Sequence, residues 1–259
     1  MKEEMMKILV PMKQVPDLVE ELEIDSSGKR LNRDFLKFKL NEFDEHALEE
    51  ALLLKEQHGG EVVVVTLDMA EADNLLFTAI AKGADKIFKI PGNCDEGIDC
   101  HSAAQMFATA AKSIGFDLIL TGVQAADDRD GQVGMLLAAF LGLPHVSVVT
   151  GLSLEGASAI VHKEYAGGVM AEFEVVLPAV FGIQAARHTP RYAPVSKVRQ
   201  AWKTSKIETV DGGTVPASNG SVVNRMFKPE SGKRAELIEG SPDDVAGKIV
   251  DLLKSRGLL

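Results

Sequence analysis

The chain has 259 residues, enough for one large α/β domain or one domain with an arm, and 46 % of them are hydrophobic, so a substantial core can form. Its formal net charge of −10 disfavours nucleic acid or an anionic membrane as the main partner. No stretch approaches the roughly 18 apolar residues of a membrane span.

The opening MKEEMMK carries two glutamates and resembles neither a secretory signal nor an Arg/Ser-rich transit peptide, so a cytoplasmic chain is expected. Lys7 to Met12 reads as a buried strand, and Lys13 to Asp17 as a loop, because Pro16 restricts Val15. Glu23 to Asn32 reads as a polar hairpin. Asn41 or Asp44 can cap a helix running to about Glu56, with Leu48, Ala51, Leu52 and Leu54 at helical spacing and His58-Gly59-Gly60 as its stop. Glu61 to Leu67 is a continuous β-branched run, typical of a strand covered on both faces. Ala70 to Lys82 is a helix, Lys86 to Ile90 a strand, Asp99 to Ile114 a helix and Asp117 to Thr121 a strand. Two cysteines, Cys94 and Cys100, share one loop-like segment and read as reduced thiols, since zinc needs more ligands than the adjacent His101. Alternating strands and helices predict a mostly parallel, doubly wound α/β sandwich with right-handed crossovers.

The pattern changes after Pro144. His145 to Leu154, Ile160 to Tyr165 and Val169 to Val176 read as an antiparallel hairpin series, joined at Glu155-Gly156 and Gly167-Gly168. Pro178 to Gln184 is a further strand, and Lys197 to Trp202 is short and basic. Lys206 to Ser221 reads as an extended linker. Ser241 as N-cap and Pro242 at the first helical position start a terminal helix to about Ser255, which must dock on the body or on another chain. The expected division is a nucleotide-binding domain over 1–205 and a linker plus C-terminal helix over 206–259 that contacts a partner subunit.

The segment with most chemical content is Gly122 to Gly134, GVQAADDRDGQVG, a glycine-punctuated loop between a strand and a helix-friendly run. A helix start presents unpaired N–H groups and a positive dipole end, which suit the phosphate of a nucleotide. Gly131 and Gly134 allow close backbone approach, and Gln132 offers amide hydrogen bonds. The Asp127-Asp128-Arg129-Asp130 run either caps the helix or grips hydroxyls, because carboxylates repel phosphate by about 1 kcal/mol per pair in a wet site. Neither G-x-G-x-x-G, a P-loop nor G-x-S-x-G occurs, and the six histidines form no metal motif. That poverty of catalytic side chains favours a binding or cofactor-holding protein, with no catalytic residue expected.

Several short motifs, in this order and spacing, resemble the beta subunit of the electron transfer flavoproteins over nearly the whole chain. They are KILVPMKQVPD; Asn41-Glu42-Phe43-Asp44-Glu45; Leu48-Glu49-Glu50-Ala51; Ala79-Ile80-Ala81 into Lys82-Gly83-Ala84-Asp85; Gln124-Ala125 with Gln132-x-Gly134; Leu-Pro-Ala-Val at 177–180; and Pro-Arg-Tyr-Ala at 190–193. The resemblance implies a Rossmann-like fold of the adenine-nucleotide α-hydrolase type. It implies pairing with an alpha subunit that carries its own FAD, docking on an acyl-CoA dehydrogenase or other flavin- or quinone-linked oxidoreductase, and an adenine nucleotide in this chain. That nucleotide is AMP as a structural ligand in one branch. In the electron-bifurcating branch it is FAD, which accepts hydride from NADH. By resemblance the nucleotide contacts fall on Pro11, Asn41, Glu42, Phe43, Asp44, Leu67, Gly122, Val123, Gln124, Ala125, Ala126, Asp127, Asp128, Arg129, Asp130, Gly131, Gln132 and Val133. The partner-recognition loop falls on Ile183, Gln184, Ala185, Ala186, Arg187, His188, Thr189, Pro190, Arg191 and Tyr192. A glutamate near the alpha-subunit flavin falls on Glu164.

KQVPD and Gln132-Val133-Gly134 agree with the bifurcating branch and favour FAD, with Gly131 leaving room for it and Arg129 placed to neutralise a phosphate. DDRDGQVG otherwise departs from both branches, which read more like DGDTAQVGP and DDDxNQTG, and Ala186-Arg187 stands where the family often carries an apolar anchor. A free-standing nucleotide sensor of the universal-stress type is a third reading, resting on the fold alone.

Overall fold

The computed structural model describes residues 6–92, 94, 97–214, 222–229, 232 and 235–259. The non-targeting reading of residues 1–5, and the parts of the cysteine loop and of the linker at 93, 95–96 and 215–221, lie outside the described residues.

Lys7–Pro11 forms β1, with Ile8, Leu9 and Val10 buried. The segment expected as a loop instead holds a short strand, β2 (Gln14–Pro16). It pairs antiparallel with β3 (Phe38–Leu40), and Pro16 is tolerated at the end of this two-stranded ribbon. The polar hairpin between them closes through an Ile24–Leu31 bridge. Helix α1 (Glu42–His58) ends at Gly59, whose φ of 76° suits glycine. Neither Asn41 nor Asp44 caps it through its side chain. The Asn41 amide donates instead to the Gln124 carbonyl at 2.9 Å, and Asp44 lies within the first turn.

The alternation then runs β4 (Glu61–Leu67), α2 (Ala72–Lys82), β5 (Lys86–Ile90), α3 (Cys100–Ile114), β6 (Leu118–Gly122) and α4 (Val133–Leu141). The antiparallel series follows as β7 (His145–Glu155), β8 (Ser158–Glu164) and β9 (Met170–Val176). β10 (Ala179–Ile183), α5 (Val195–Thr204), β11 (Glu208–Thr209) and α6 (Pro242–Ser255) complete the described elements.

Among the described residues the main sheet has nine strands in the order β11-β5-β4-β1-β6-β10-β7-β8-β9, parallel from β11 to β7. β10 returns to lie between β6 and β7 and is buried along its whole length, as an interior parallel strand should be. Helices α1, α2 and α5 cover one face with Ile8, Val10, Leu120 and Phe181. Helices α3 and α4 cover the other with Leu9, Val63, Ile119 and Val180. Residues along β1 therefore alternate between the two cores. Within the stretch expected as a linker, β11 adds to the edge of β5 and Val210 is buried. α6 carries the expected Ser241 cap, as a full capping box with Asp244, and buries none of its residues.

Candidate functional site

From β1 the chain winds outward through β4 and β5, then returns to β6 on the other side of β1. The carboxyl ends of β1 and β6 thus form the switch point of the sheet, where open α/β sheets bind ligands. A cleft opens there, with about 670 Å³ of empty space that runs out into open solvent. It is lined by Pro11, Met12 and Lys13 at the end of β1, Leu67 and Met69 at the end of β4, and Thr121 and Gly122 at the end of β6. Asn41 and Asp44 of α1, Cys100, Ala103 and Phe107 of α3, and Val133 of α4 form the walls. Three helix N-termini therefore meet at one cleft, and the Val123–Gln132 loop borders it.

Asp44 joins the two strand ends. Its Oδ2 accepts the Lys13 N–H at 2.9 Å and its Oδ1 accepts the Gly122 N–H at 3.2 Å. Burial pushes its carboxyl up to about 7 despite these donors. Gly122 is required by this approach: a Cβ there would lie 2.8 Å from the Asp44 nitrogen and the Phe43 carbonyl carbon.

Lys13 resolves the aspartate run. Its Nζ lies 2.8 Å from Asp127 Oδ1 and 3.2 Å from Asp128 Oδ2. Burial acts to discharge the lysine, but the two carboxylates outweigh it and hold the ammonium above its usual range. Cys100 Sγ lies 3.9 Å from Asp128 and Asp130 carboxylate oxygens, and burial together with those charges pushes the thiol up to about 11. Cys100 is thus an unreactive thiol, and the two cysteines are not bridged.

Of the residues expected to contact nucleotide, Pro11, Asn41, Asp44, Leu67, Gly122, Val123, Gln124, Ala125, Asp128, Gly131, Gln132 and Val133 line the cleft. Glu42, Phe43, Ala126, Asp127, Arg129 and Asp130 do not. Arg129 is exposed with φ 57° and is not among the residues lining the cleft, whereas Lys13 is; Lys13 is the cation among the described lining residues. Gly131 has φ +64° and its Cβ position faces the Val123 carbonyl at 3.2 Å, so this glycine serves the turn. Gly134 serves packing, since a Cβ there would lie 2.6 Å from Thr121 Oγ1.

Sequence reasoning missed Met12, Lys13, Met69, Ile98, Cys100, Ala103, Phe107 and Thr121. A lysine directly after the central strand was an available signal, because that strand end borders the switch point. The apolar residues carried none, since Ala103 and Phe107 at (i, i+4) read equally as core. The donor set suits an adenine nucleotide: an apolar wall of Leu67, Met69, Ile98 and Phe107, amides of Asn41, Gln124 and Gln132, and one ammonium. The Thr121 hydroxyl is buried there without a partner.

The expected recognition loop leaves β10 at Ile183 and lies along α1. Gln184 and Ala185 N–H donate to the Val149 carbonyl, and the Ala186 N–H donates to His46 Nδ1 at 3.1 Å. Arg187 grips Glu50 at 2.7 Å and Gln57 at 3.2 Å, while Arg191 grips Glu49 at 2.8 Å and Glu56 at 2.7 Å. Both guanidinium groups are thus held by this chain's own helix. Arg187, His188, Thr189 and Tyr192 are the exposed residues of the loop, with Pro190 partly covered between them. Burial raises the Glu50 carboxyl; at Glu49 the Arg191 pairing outweighs burial and lowers it. Glu164 is exposed at the end of β8, paired with Met170, and is not among the residues lining the cleft. Among the described residues no helix is long and apolar enough to cross a membrane.

A family model described as an electron transfer flavoprotein domain matches residues 31–213. An electron transfer flavoprotein subunit beta of Methylophilus methylotrophus is 35 % identical, the match spanning 96 % of this chain and 98 % of the relative. The corresponding subunit of Bacillus subtilis is 31 % identical over the same shares. The caffeyl-CoA reductase-Etf complex subunit CarD of Acetobacterium woodii is 32 % identical over 98 % of this chain and all of the relative. The chain belongs to the electron transfer flavoprotein family, among its beta subunits.

Proposed function

We propose that this chain is the nucleotide-holding half of a cytoplasmic electron transfer flavoprotein heterodimer, with FAD in the switch-point cleft. The observation that carries the reading is the convergence of α1, α3 and α4 N-termini, an apolar wall and one lysine on a single cleft. FAD follows from KQVPD and Gln132-Val133-Gly134, the motifs shared with the bifurcating branch. If bound there, FAD would supply hydride-accepting and electron-transfer chemistry. The chain's own residues bind and orient: Asn41 and Gln132 carry amide groups at the cleft, Lys13 offers positive charge, and the apolar wall excludes water. The exposed face of the loop over His188, Thr189 and Tyr192 meets an acyl-CoA dehydrogenase or another flavin- or quinone-linked oxidoreductase. Glu164 lies toward the alpha-subunit flavin in this reading. The free-standing sensor reading loses its support once the family is known.

A second reading, AMP as a structural ligand, has its own support. Arg129 is not among the described residues lining the cleft, so no guanidinium stands among them for a second phosphate, and Gly131, which does line it, is tied to the turn by its φ of +64°. One lysine suits one phosphate.

The test is to co-express the chain with its alpha subunit, purify and denature the pair, and quantify released nucleotides by chromatography. Two FAD per heterodimer is the expected result. One FAD with one AMP selects the second reading, and one FAD with no second adenine nucleotide overturns both.

A further inference from the structure

We infer that Lys13 is the residue that selects a phosphorylated ligand for the cleft, by offsetting one of the two negative charges of Asp127 and Asp128 and lending its remaining N–H to a phosphate. This rests on the adenine-nucleotide reading of the cleft and names the residue that decides which part of such a ligand is read.

Among the described residues lining the cleft Lys13 is the only cation, and Asp44 and Asp128 are the acids. Its ammonium has three donors, and among the described residues it meets two acceptors, Asp127 Oδ1 at 2.8 Å and Asp128 Oδ2 at 3.2 Å. Its backbone N–H is tied to Asp44, so the side chain starts from a fixed point at the end of β1. The ion pairs bridge that strand end to the Val123–Gln132 loop, more than a hundred residues away in sequence. They are about a quarter exposed, where such pairs add little to stability. Stability is therefore a weak reason for a lysine here. Charge is a stronger one: with Lys13 removed, a phosphate entering beside this loop meets two carboxylates that have lost their ammonium partner.

The experiment uses the heterodimer freed of its nucleotide, titrated calorimetrically with AMP, the portion common to both candidate nucleotides, and with adenosine. Lys13→Met is expected to weaken AMP at least tenfold and adenosine less than twofold, and Lys13→Arg to recover most of the AMP affinity. Unchanged AMP affinity in Lys13→Met overturns the inference. So does an equal loss for AMP and adenosine, which would assign Lys13 to shaping the loop. If the unsubstituted heterodimer binds neither compound, the nucleotide reading of the cleft fails, and the inference with it.

Discussion

Asp44 shows how a single carboxyl can hold two strand ends together and make them sensitive to pH. Its folded-state value is raised to about 7 from an ordinary 3.8, so the folded chain keeps a proton that the unfolded chain releases near pH 4. The stability this contributes is fully present below about pH 4 and is lost as pH rises through 7. Three units correspond to at most about 4 kcal/mol. Urea midpoints at pH 5 and pH 8 should therefore differ more in the unsubstituted protein than in Asp44→Asn; equal differences would remove Asp44 from the pH response. Gly131 is a second decisive residue. Val there would put a β-branched side chain at φ +64° with its Cβ against the Val123 carbonyl. Gly131→Val should rebuild the loop and cut the nucleotide retained on purification at least tenfold, and unchanged content would count against the placement of the site. The glycine was legible in the sequence, but its purpose was not: close approach to a ligand and a left-handed turn leave the same letter.

Helix α1 serves two places at once. Its first turn supplies Asn41 and Asp44 to the cleft, and its flank holds the 184–192 loop through His46, Glu49, Glu50 and Glu56. Arg191→Ala would leave Glu49, 5 % exposed, without its partner. A loss of about 1–3 kcal/mol is expected, together with faster amide exchange over 184–192 by mass spectrometry; a loop equally protected in the variant would show that the clamp is dispensable. The helix itself was readable from Leu48, Ala51 and Leu52. The burial of Glu49 and Glu50 was not, because adjacent acids on a helix ordinarily mark a solvated face, and the arginines that bury them lie about 140 residues onward. Pro178 to Gln184 tells the same story. The apolar run announced a strand, while its place between β6 and β7 depends on pairing across the chain.

At the scale of the whole molecule, the two cores flank one sheet and the C-terminal arm stands apart from both. α6 buries no residue of its own, and the described arm touches the body where Met226 N–H donates to the Gly28 carbonyl and Lys228 meets Glu21. Removing residues 222–259 should leave the body's unfolding midpoint nearly unchanged and weaken assembly with the alpha subunit. Native mass spectrometry of the truncated pair checks this, and an intact heterodimer at unchanged affinity would argue against the arm as a subunit tie. By itself the sequence determined the alternation of strands and helices, the antiparallel series after Pro144, the capped terminal helix and most of the cleft-lining loop. Those features depend on local periodicity, turn residues and motifs that neighbouring letters carry. What waited on the fold was that β10 lies inside the sheet, that Lys13 lines the cleft while Arg129 does not, and that the Arg187 and Arg191 guanidinium groups pair with acids of α1. Each of those depends on which distant residues meet once the sheet is closed, and burial and ion pairing act on that meeting rather than on the order of the chain.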